Sequence, residues 1–438
     1  MNQRFMWKEC KRRILSGYLS HAKRDMENKT KMKYVIILGD GMSDEPLDAL
    51  GGKTPLAYAH TPTLDNLSKK SRLGMVKTIP NGMSPGSDTA NLSVLGFDPQ
   101  KYYSGRSPLE ALSIGAPMTE GDIAIRLNLV TISAEDGDCF PFGERTIIDH
   151  SSGEISTEEA DILLRTVKDE LAKEIKENQF SLYTGTSYRH CLIWKQGVVK
   201  AFTAPHDVLG QKIGPHLPND AAFLKLIERS FEILNNHPIN KERRQNGKNP
   251  ANCFWFWGAG TKPALPSFTE KTGKKGIMIS AVDLLKGIGV ACGMAVADVP
   301  GANGTLHTNY AGKVAAAGDA LLNEDFDFAY IHIEAPDEMS HQGDLHNKVK
   351  AIEYLDEKVI APVLTRLEES GVDFRLLILP DHPTPLHLRT HTADSVPFLL
   401  YDSSVTLRNE DNYNEETGQK SGEYITVGHQ VIEVLFSA

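Results

Sequence analysis

Three apolar runs in this chain end in the same way. YVIIL (34–38) stops at Gly39-Asp40-Gly41, FAYIHI (328–333) leads into Glu334-Ala335-Pro336-Asp337, and FRLLIL (374–379) stops at Pro380-Asp381-His382. An unbroken apolar run of this kind reads as a strand buried on both faces, as parallel strands under helices are. Helical patterns lie between the runs, over 63–71, 156–176 and 347–370. The second begins Ser-Thr-Glu-Glu, in the manner of a capped N-terminus. Alternating strand and helix points to an α/β core with a mostly parallel sheet between helices. In such sheets ligands collect beyond the carboxyl ends of the strands, so the polar groups at these three ends are the first candidates for chemistry.

The chain has 438 residues, more than one ordinary domain of ~100–200. Its middle reads differently from its ends. From about residue 118 the expected strands alternate (IAIRLNLVTIS, HCLIWK, VVKAFTA) between polar turns and one long helix, and 235–252, polar and rich in turn residues, is expected as a loop or boundary. The expected organisation is an N-terminal extension (1–31), an α/β core (32–117 and 251–438) and an inserted smaller α+β domain (118–250). The extension is basic and lacks the apolar segment of a secretory signal. It reads as a short amphipathic helix, or as sequence upstream of a start at Met32.

Lys and Arg total 47 against 57 Asp and Glu, a net charge of −10. That balance argues against a nucleic-acid partner but leaves room for an anionic substrate gripped by a few local cations. The most apolar long window, 277–299, is interrupted by Asp283, Lys286 and several glycines, so no membrane span is expected. Five scattered cysteines without a C-x-x-C fit reduced thiols in the cytoplasm.

Collected at the strand ends are Asp40, Asp337, His341 (in APDEMSHQGD), Asp381, His382 and His391 (in RTHTADSVPF). Taken singly, each has a plain structural reading: Asp40 as a turn residue, Asp337 and His341 as a surface pair, His391 as a packed imidazole. Ser87, in MSPGSDTANLS, reads alone as a turn or a helix cap. Together they are carboxylates and imidazoles of the kind divalent transition metals take. Six such groups exceed the needs of one ion. Two ions roughly 3.5–4 Å apart can clamp a phosphoryl group and activate a serine oxygen, which is otherwise a weak nucleophile.

The ordered set ILGDGM, GSDTANLSVLGFDP, YYSGRSPLEA, APDEMSHQGD, PDH and HTADSVPF resembles the archaeal-type cofactor-independent phosphoglycerate mutases of the alkaline phosphatase superfamily, from Lys33 to nearly the end of the chain. The resemblance implies an alkaline-phosphatase-like core with an inserted phosphotransferase domain. It implies that Ser87 becomes phosphoserine, that Asp40, Ser87, Asp381 and His382 hold one metal, and that Asp337, His341 and His391 hold the other. Manganese is the family's usual metal, with zinc the alternative for such ligands, and no bisphosphoglycerate is required. The small substrate would be a phosphoglycerate.

A mutase must keep the glycerate in place and water out between the two transfers. Arg suits a carboxylate and a phosphate alike. Candidates in or near the insert are Arg126, Arg189 and Lys286, with Asp149 as a bridge to substrate hydroxyls or an acid or base, and His150 and His190 behind it. Relatives often carry a histidine where this chain has Glu154, which bears on the acceptor. Two rival readings keep part of this picture. A homoserine kinase-like phosphotransferase or a metal-dependent phosphohydrolase would use the same site. Formation of O-phosphohomoserine from ATP marks the first, and phosphate release marks the second. No G-x-x-x-x-G-K-[ST] is present to favour ATP. A binding protein that has kept only the fold would hold no metal and carry no phosphate on Ser87.

Overall fold

The computed structural model describes residues 31–134, 140–408 and 410–437. The helix expected in the N-terminal extension lies outside them, as do Cys10 and Cys139. The chain divides into two units. One runs through Tyr103 and takes in Leu265–Leu285 and Cys292–Ala438; the other is Ser104–Ala264 with Lys286–Ala291.

In chain order the strands are β1 (Lys33–Gly39), β2 (Arg72–Val76), β3 (Ile123–Ile132), β4 (Ile147–Asp149), β5 (Phe180–Tyr183), β6 (Arg189–Trp194), β7 (Cys253–Thr261), β8 (Gly276–Ile279), β9 (Ala295–Val296), β10 (Phe328–Ile333), β11 (Phe374–Leu379), β12 (Val396–Asp402) and β13 (Tyr424–Ile425).

The larger unit is built on a mixed, mostly parallel sheet ordered β13-β2-β12-β11-β1-β10-β8-β9. β1 lies between β11 and β10 and is parallel to both, with Gly39 opposite Ile333 and Leu38 opposite Leu379. The three apolar runs are therefore adjacent strands with their carboxyl ends side by side. Every residue of β1 and β10 is buried. Val35, Ile37, Ile331, Ile333, Leu376 and Ile378 enter one apolar core with helix residues such as Leu355 and Val363. The expected helix over 347–370 is Leu345–Leu355 and Ala361–Ser370 joined by a π turn, Asp356–Ile360. Pro362 has no N–H to give the carbonyl four residues back, which accounts for the local widening. Asp356 in that turn caps another helix: its carboxylate accepts the Thr63 and Leu64 N–H groups at the start of Pro62–Ser68. A buried pair ties the loops at the strand ends. Lys348 Nζ is 2.7 Å from Asp44 Oδ2 and also donates to the Thr384 carbonyl, joining the loop after β1 to the loop after β11. Its hydrogen bonds offset the cost of burying the charges.

The smaller unit is an antiparallel sheet ordered β4-β3-β6-β5, with β7 paired to β3. The helices Thr157–Glu170 and Ala221–Asn235 pack on it through Leu163, Val167, Phe223 and Ile227. Ser156 caps the first, its hydroxyl accepting the Glu159 N–H.

Three expectations are corrected here. β7 was expected in the core segment starting at 251, but it pairs with β3 from Ile123↔Thr261 to Val130↔Cys253, so this unit extends from 104 to 264. An apolar run alone does not say which sheet it joins. The stretch 235–252, expected as a loop or boundary, contains the helix Pro238–Gln245, capped by the His237 ring and started by proline. VVKAFTA forms no strand, and Val198 and Val199 are exposed.

Candidate metal centre

The loop after β1 turns sharply at Gly41, where φ is +59°. A Cβ there would sit 2.5 Å from Asp337 Oδ1 and 2.6 Å from Thr384 Oγ1. Glycine alone serves both the backbone and the close approach. The turn sets Asp40 over the sheet and aims the Gly41 N–H at Asp381 Oδ1, 3.2 Å away. Asp381 and His382 follow β11 directly and are fully enclosed, and Asp40 is 3% exposed. Asp337 and His341 lie one turn apart on the helix Ala335–Gln342, hence on one face. His391 comes from the loop before β12.

These six side chains form two groups, Asp40–Asp381–His382 and Asp337–His341–His391; within each, the potential ligand atoms lie within 4.8 Å of one another. In the first, His382 Nε2 is 3.6 Å from Asp40 Oδ1 and 3.4 Å from Asp381 Oδ2. Asp40 Oδ1 is buried without a hydrogen-bond partner. Burial, and then the Asp381 carboxylate, push the Asp40 carboxyl well above its usual range. In the second, His341 Nε2 is 3.1 Å from His391 Nε2 and 3.0 Å from Asp337 Oδ2. Burial alone would raise Asp337, but its bonds to His341 and His391 hold it well below the carboxylate range. The bond to Asp337 raises His341 to about 9, against the pull of burial.

The hydrogen bonds behind the rings decide which nitrogen faces inward. His341 Nδ1 is 2.9 Å from the Arg389 carbonyl, which only accepts, so Nδ1 carries the proton. Thr384 gives its one hydroxyl hydrogen to Asp337 Oδ1 at 2.6 Å, so His382 Nδ1, 3.2 Å from Thr384 Oγ1, is the donor to it. Both Nε2 atoms thereby face into the groups, and His341 Nε2 offers a lone pair once the proton it shares with Asp337 leaves. Two imidazole nitrogens facing each other beside a carboxylate, and a buried carboxylate oxygen with no partner, are what divalent cations complete. The donor sets fit them. Uptake at the second group displaces the proton held there.

Ser87 opens the helix Ser87–Val94. It is the first helical residue, and Gly86 occupies the cap position, so the hydroxyl is not spent on capping. Its Oγ lies 3.2 Å from His382 Nε2. The first turn of a helix favours negative charge.

The other expected residues, Arg126, Asp149, Arg189 and Lys286, belong to the smaller unit. Arg126 on β3 is gripped by Glu110, Nε to Oε2 at 2.8 Å and Nη2 to Oε1 at 3.0 Å, and lies 4.0 Å over the Trp257 ring. Arg189 on β6 is exposed, beside the Tyr188 ring. Lys286 sits half-buried in Asp283–Ala291. Asp149 is saturated: Ser151 donates twice to Oδ1, and Gly153 and Asn249 donate to Oδ2. These bonds outweigh burial and lower its carboxyl. His190 is enclosed, and burial pushes it down to about 4. His150 packs against the Tyr188 and His206 rings. Glu154 is exposed in a positive-φ turn with Ser152 and Gly153.

Sequence reasoning passed over Asn91, Thr384, Tyr330 and His332, all buried at the first group. A polar residue inside an apolar run, as in FAYIHI, was the available signal.

No helix among the described residues is long and apolar enough to cross a membrane. A family model described as 2,3-bisphosphoglycerate-independent phosphoglycerate mutase matches residues 68–240. The chain is 45% identical to the protein so named in Methanothrix thermoacetophila, over 93% of this chain and 100% of the relative. The one in Methanosarcina barkeri is also 45% identical, with the same coverage. Among solved structures, a Pyrococcus horikoshii protein covers 93% of this chain and 97% of its own at 29% identity, with a TM-score of 0.75. A cofactor-independent phosphoglycerate mutase from Thermoplasma acidophilum covers 93% and 99% at 27% identity, with a TM-score of 0.62. By these relationships the chain belongs to the 2,3-bisphosphoglycerate-independent phosphoglycerate mutase family.

Proposed function

We propose that this chain interconverts 3-phosphoglycerate and 2-phosphoglycerate through a phosphoserine at Ser87, without a bisphosphoglycerate primer. The observation that carries the mechanism is Ser87 Oγ, uncapped at a helix start and 3.2 Å from an inward-facing imidazole nitrogen.

Asp40, Asp381 and His382, with Ser87, would hold one divalent cation, and Asp337, His341 and His391 the other. Manganese is the expected metal. Bound there, the ions supply Lewis acidity and neutralise phosphoryl charge. The Ser87 oxygen forms a bond to phosphorus, its proton departs, and the bond from phosphorus to the C3 oxygen breaks. The leaving oxygen gains a proton. Glycerate then turns, its C2 hydroxyl attacks the phosphoserine, and Ser87 is restored. The helix start favours the charge of the phosphoserine. The smaller unit acts as the substrate domain. Arg126, aimed by Glu110 and Trp257, and Arg189 grip the carboxylate and phosphate, with Lys286 as a further cation. Asp149 supports this site by holding its turn. The reading places the enzyme in the cytoplasm, consistent with three buried free thiols, Cys191, Cys253 and Cys292.

The test is formation of 2-phosphoglycerate from 3-phosphoglycerate with manganese present and bisphosphoglycerate absent. Wild type turns over and Ser87→Ala does not. No turnover by metal-loaded wild type would overturn the mutase reading, and phosphate release in its place would mark a hydrolase.

A further inference from the structure

We propose that Tyr330 and His332, alternate residues of β10, are positioning residues for the cation site formed by Asp40, Asp381 and His382; this rests on the cation reading above. The two side chains share one face of the strand because residues two apart do. Both are fully buried, and from each a chain of hydrogen bonds leads to a carboxylate of the site.

The first chain begins in the backbone after β8. The Val282 N–H donates to Ser280 Oγ at 3.0 Å, and Ser280 Oγ lies 3.3 Å from His332 Nδ1. An ionised Asp40 carboxylate, the form that holds a cation, only accepts, so the ring proton sits on Nε2, 3.0 Å from Asp40 Oδ2, and Nδ1 is left to accept the Ser280 hydroxyl. Lys313 Nζ, also fully buried, holds the His332 carbonyl at 2.9 Å and fixes the strand at that point. Oδ2 of Asp40 is thus engaged, and Oδ1, the oxygen without a partner, is the one presented toward His382.

The second chain begins at the Tyr330 hydroxyl, which donates to Asn91 Oδ1. The direction of the amide is set by the partners on its other side, a backbone carbonyl and a carboxylate, which only accept. Its nitrogen faces them and donates to Asp381 Oδ2 at 3.0 Å and to the Ser87 carbonyl at 2.8 Å. Asn91 lies one turn after Ser87 on the same helix. One amide therefore ties the helix bearing the nucleophile to a carboxylate of the site. Tyr330 acts through Asn91 and His332 acts through Asp40; neither needs to touch substrate. Outer hydrogen bonds that orient ligands are typically worth ~10–100-fold in metal affinity.

The experiment titrates folded, metal-stripped full-length protein with Mn2+ alone in a calorimeter. The variants are Tyr330→Phe, His332→Gln and Ser280→Ala, each checked for its fold by circular dichroism. Wild type shows two sites. Tyr330→Phe and His332→Gln each weaken one of them ~10–100-fold and leave the other as it was. Ser280→Ala, which removes only the hydroxyl partner of Nδ1, weakens the same site by less; it carries the test of the first chain should His332→Gln not fold. Folded variants that bind both ions as wild type does overturn the positioning role alone. Wild type that binds no Mn2+ overturns the cation reading, and the positioning role falls with it.

Discussion

In the larger unit, His332 and His382 are fully enclosed and both nitrogens of each ring have partners. In the smaller unit, His190 is nearly as buried, yet its Nδ1 accepts the Gly185 N–H and its Nε2 has no partner. The carboxylates show the reverse. Asp40 keeps one buried oxygen without a partner, whereas Asp149 has four donors on its two oxygens. Burial alone is therefore a poor marker of chemistry. In the larger unit the ring partners are arranged in chains that end on the carboxylates of the first group. In the smaller, burial only keeps His190 neutral, and saturation turns Asp149 into the clasp of a turn.

The contrast can be broken most strongly at Gly41. Gly41→Ala puts a Cβ against Asp337 and Thr384 at a left-handed position, and should cost roughly 2–4 kcal/mol of stability together with both cation groups. Urea unfolding and manganese stoichiometry report this. A variant with wild-type stability and metal content would mean that the close approach has no consequence. Next is Arg126 in the smaller unit. Lysine cannot reproduce the two-pronged bond to Glu110 or the stacking on Trp257. Arg126→Lys should raise KM roughly 10–100-fold with kcat changed less, and an unchanged KM would remove Arg126 from the substrate site.

The contrast can also be tested at His190. Its folded pKa, about 4, lies below that of the unfolded ring. The unfolded chain therefore takes up a proton that the folded one refuses. Stability is lost as pH falls from about 6.5 and levels off near 4, a loss of about 3 kcal/mol. Over that range wild type should lose more stability than His190→Gln by this amount, measured by urea unfolding at a series of pH values. Equal losses would show that the ring is not held neutral.

The legible parts of the molecule share a physical reason. A strand buried on both faces must be apolar throughout, so β1, β10 and β11 stood out, and β10 and β11 have the bounds read for them. An aspartate beyond such a run has one place to be, so Asp40, Asp337 and Asp381 were found together. The half-buried antiparallel strands of the smaller unit gave weaker signals. β7 reads as apolar in either sheet, and only its pairing with β3 decides between them. The run 198–204 has strand-like residues and no partner strand. Tyr330 and His332 were hidden by their setting, because their polar atoms meet partners distant in sequence, at Asn91 and Asp40.

The central claim is that Ser87 carries the phosphoryl group between the two glycerate oxygens. Its most direct test is to mix manganese-loaded enzyme with 3-phosphoglycerate labelled in the phosphoryl group, quench in acid, and map the label by peptide mass spectrometry. Label is expected on Ser87 in wild type and not in Ser87→Ala, with no turnover in that variant. Turnover in wild type with no label on Ser87, and turnover retained in Ser87→Ala, would contradict the claim.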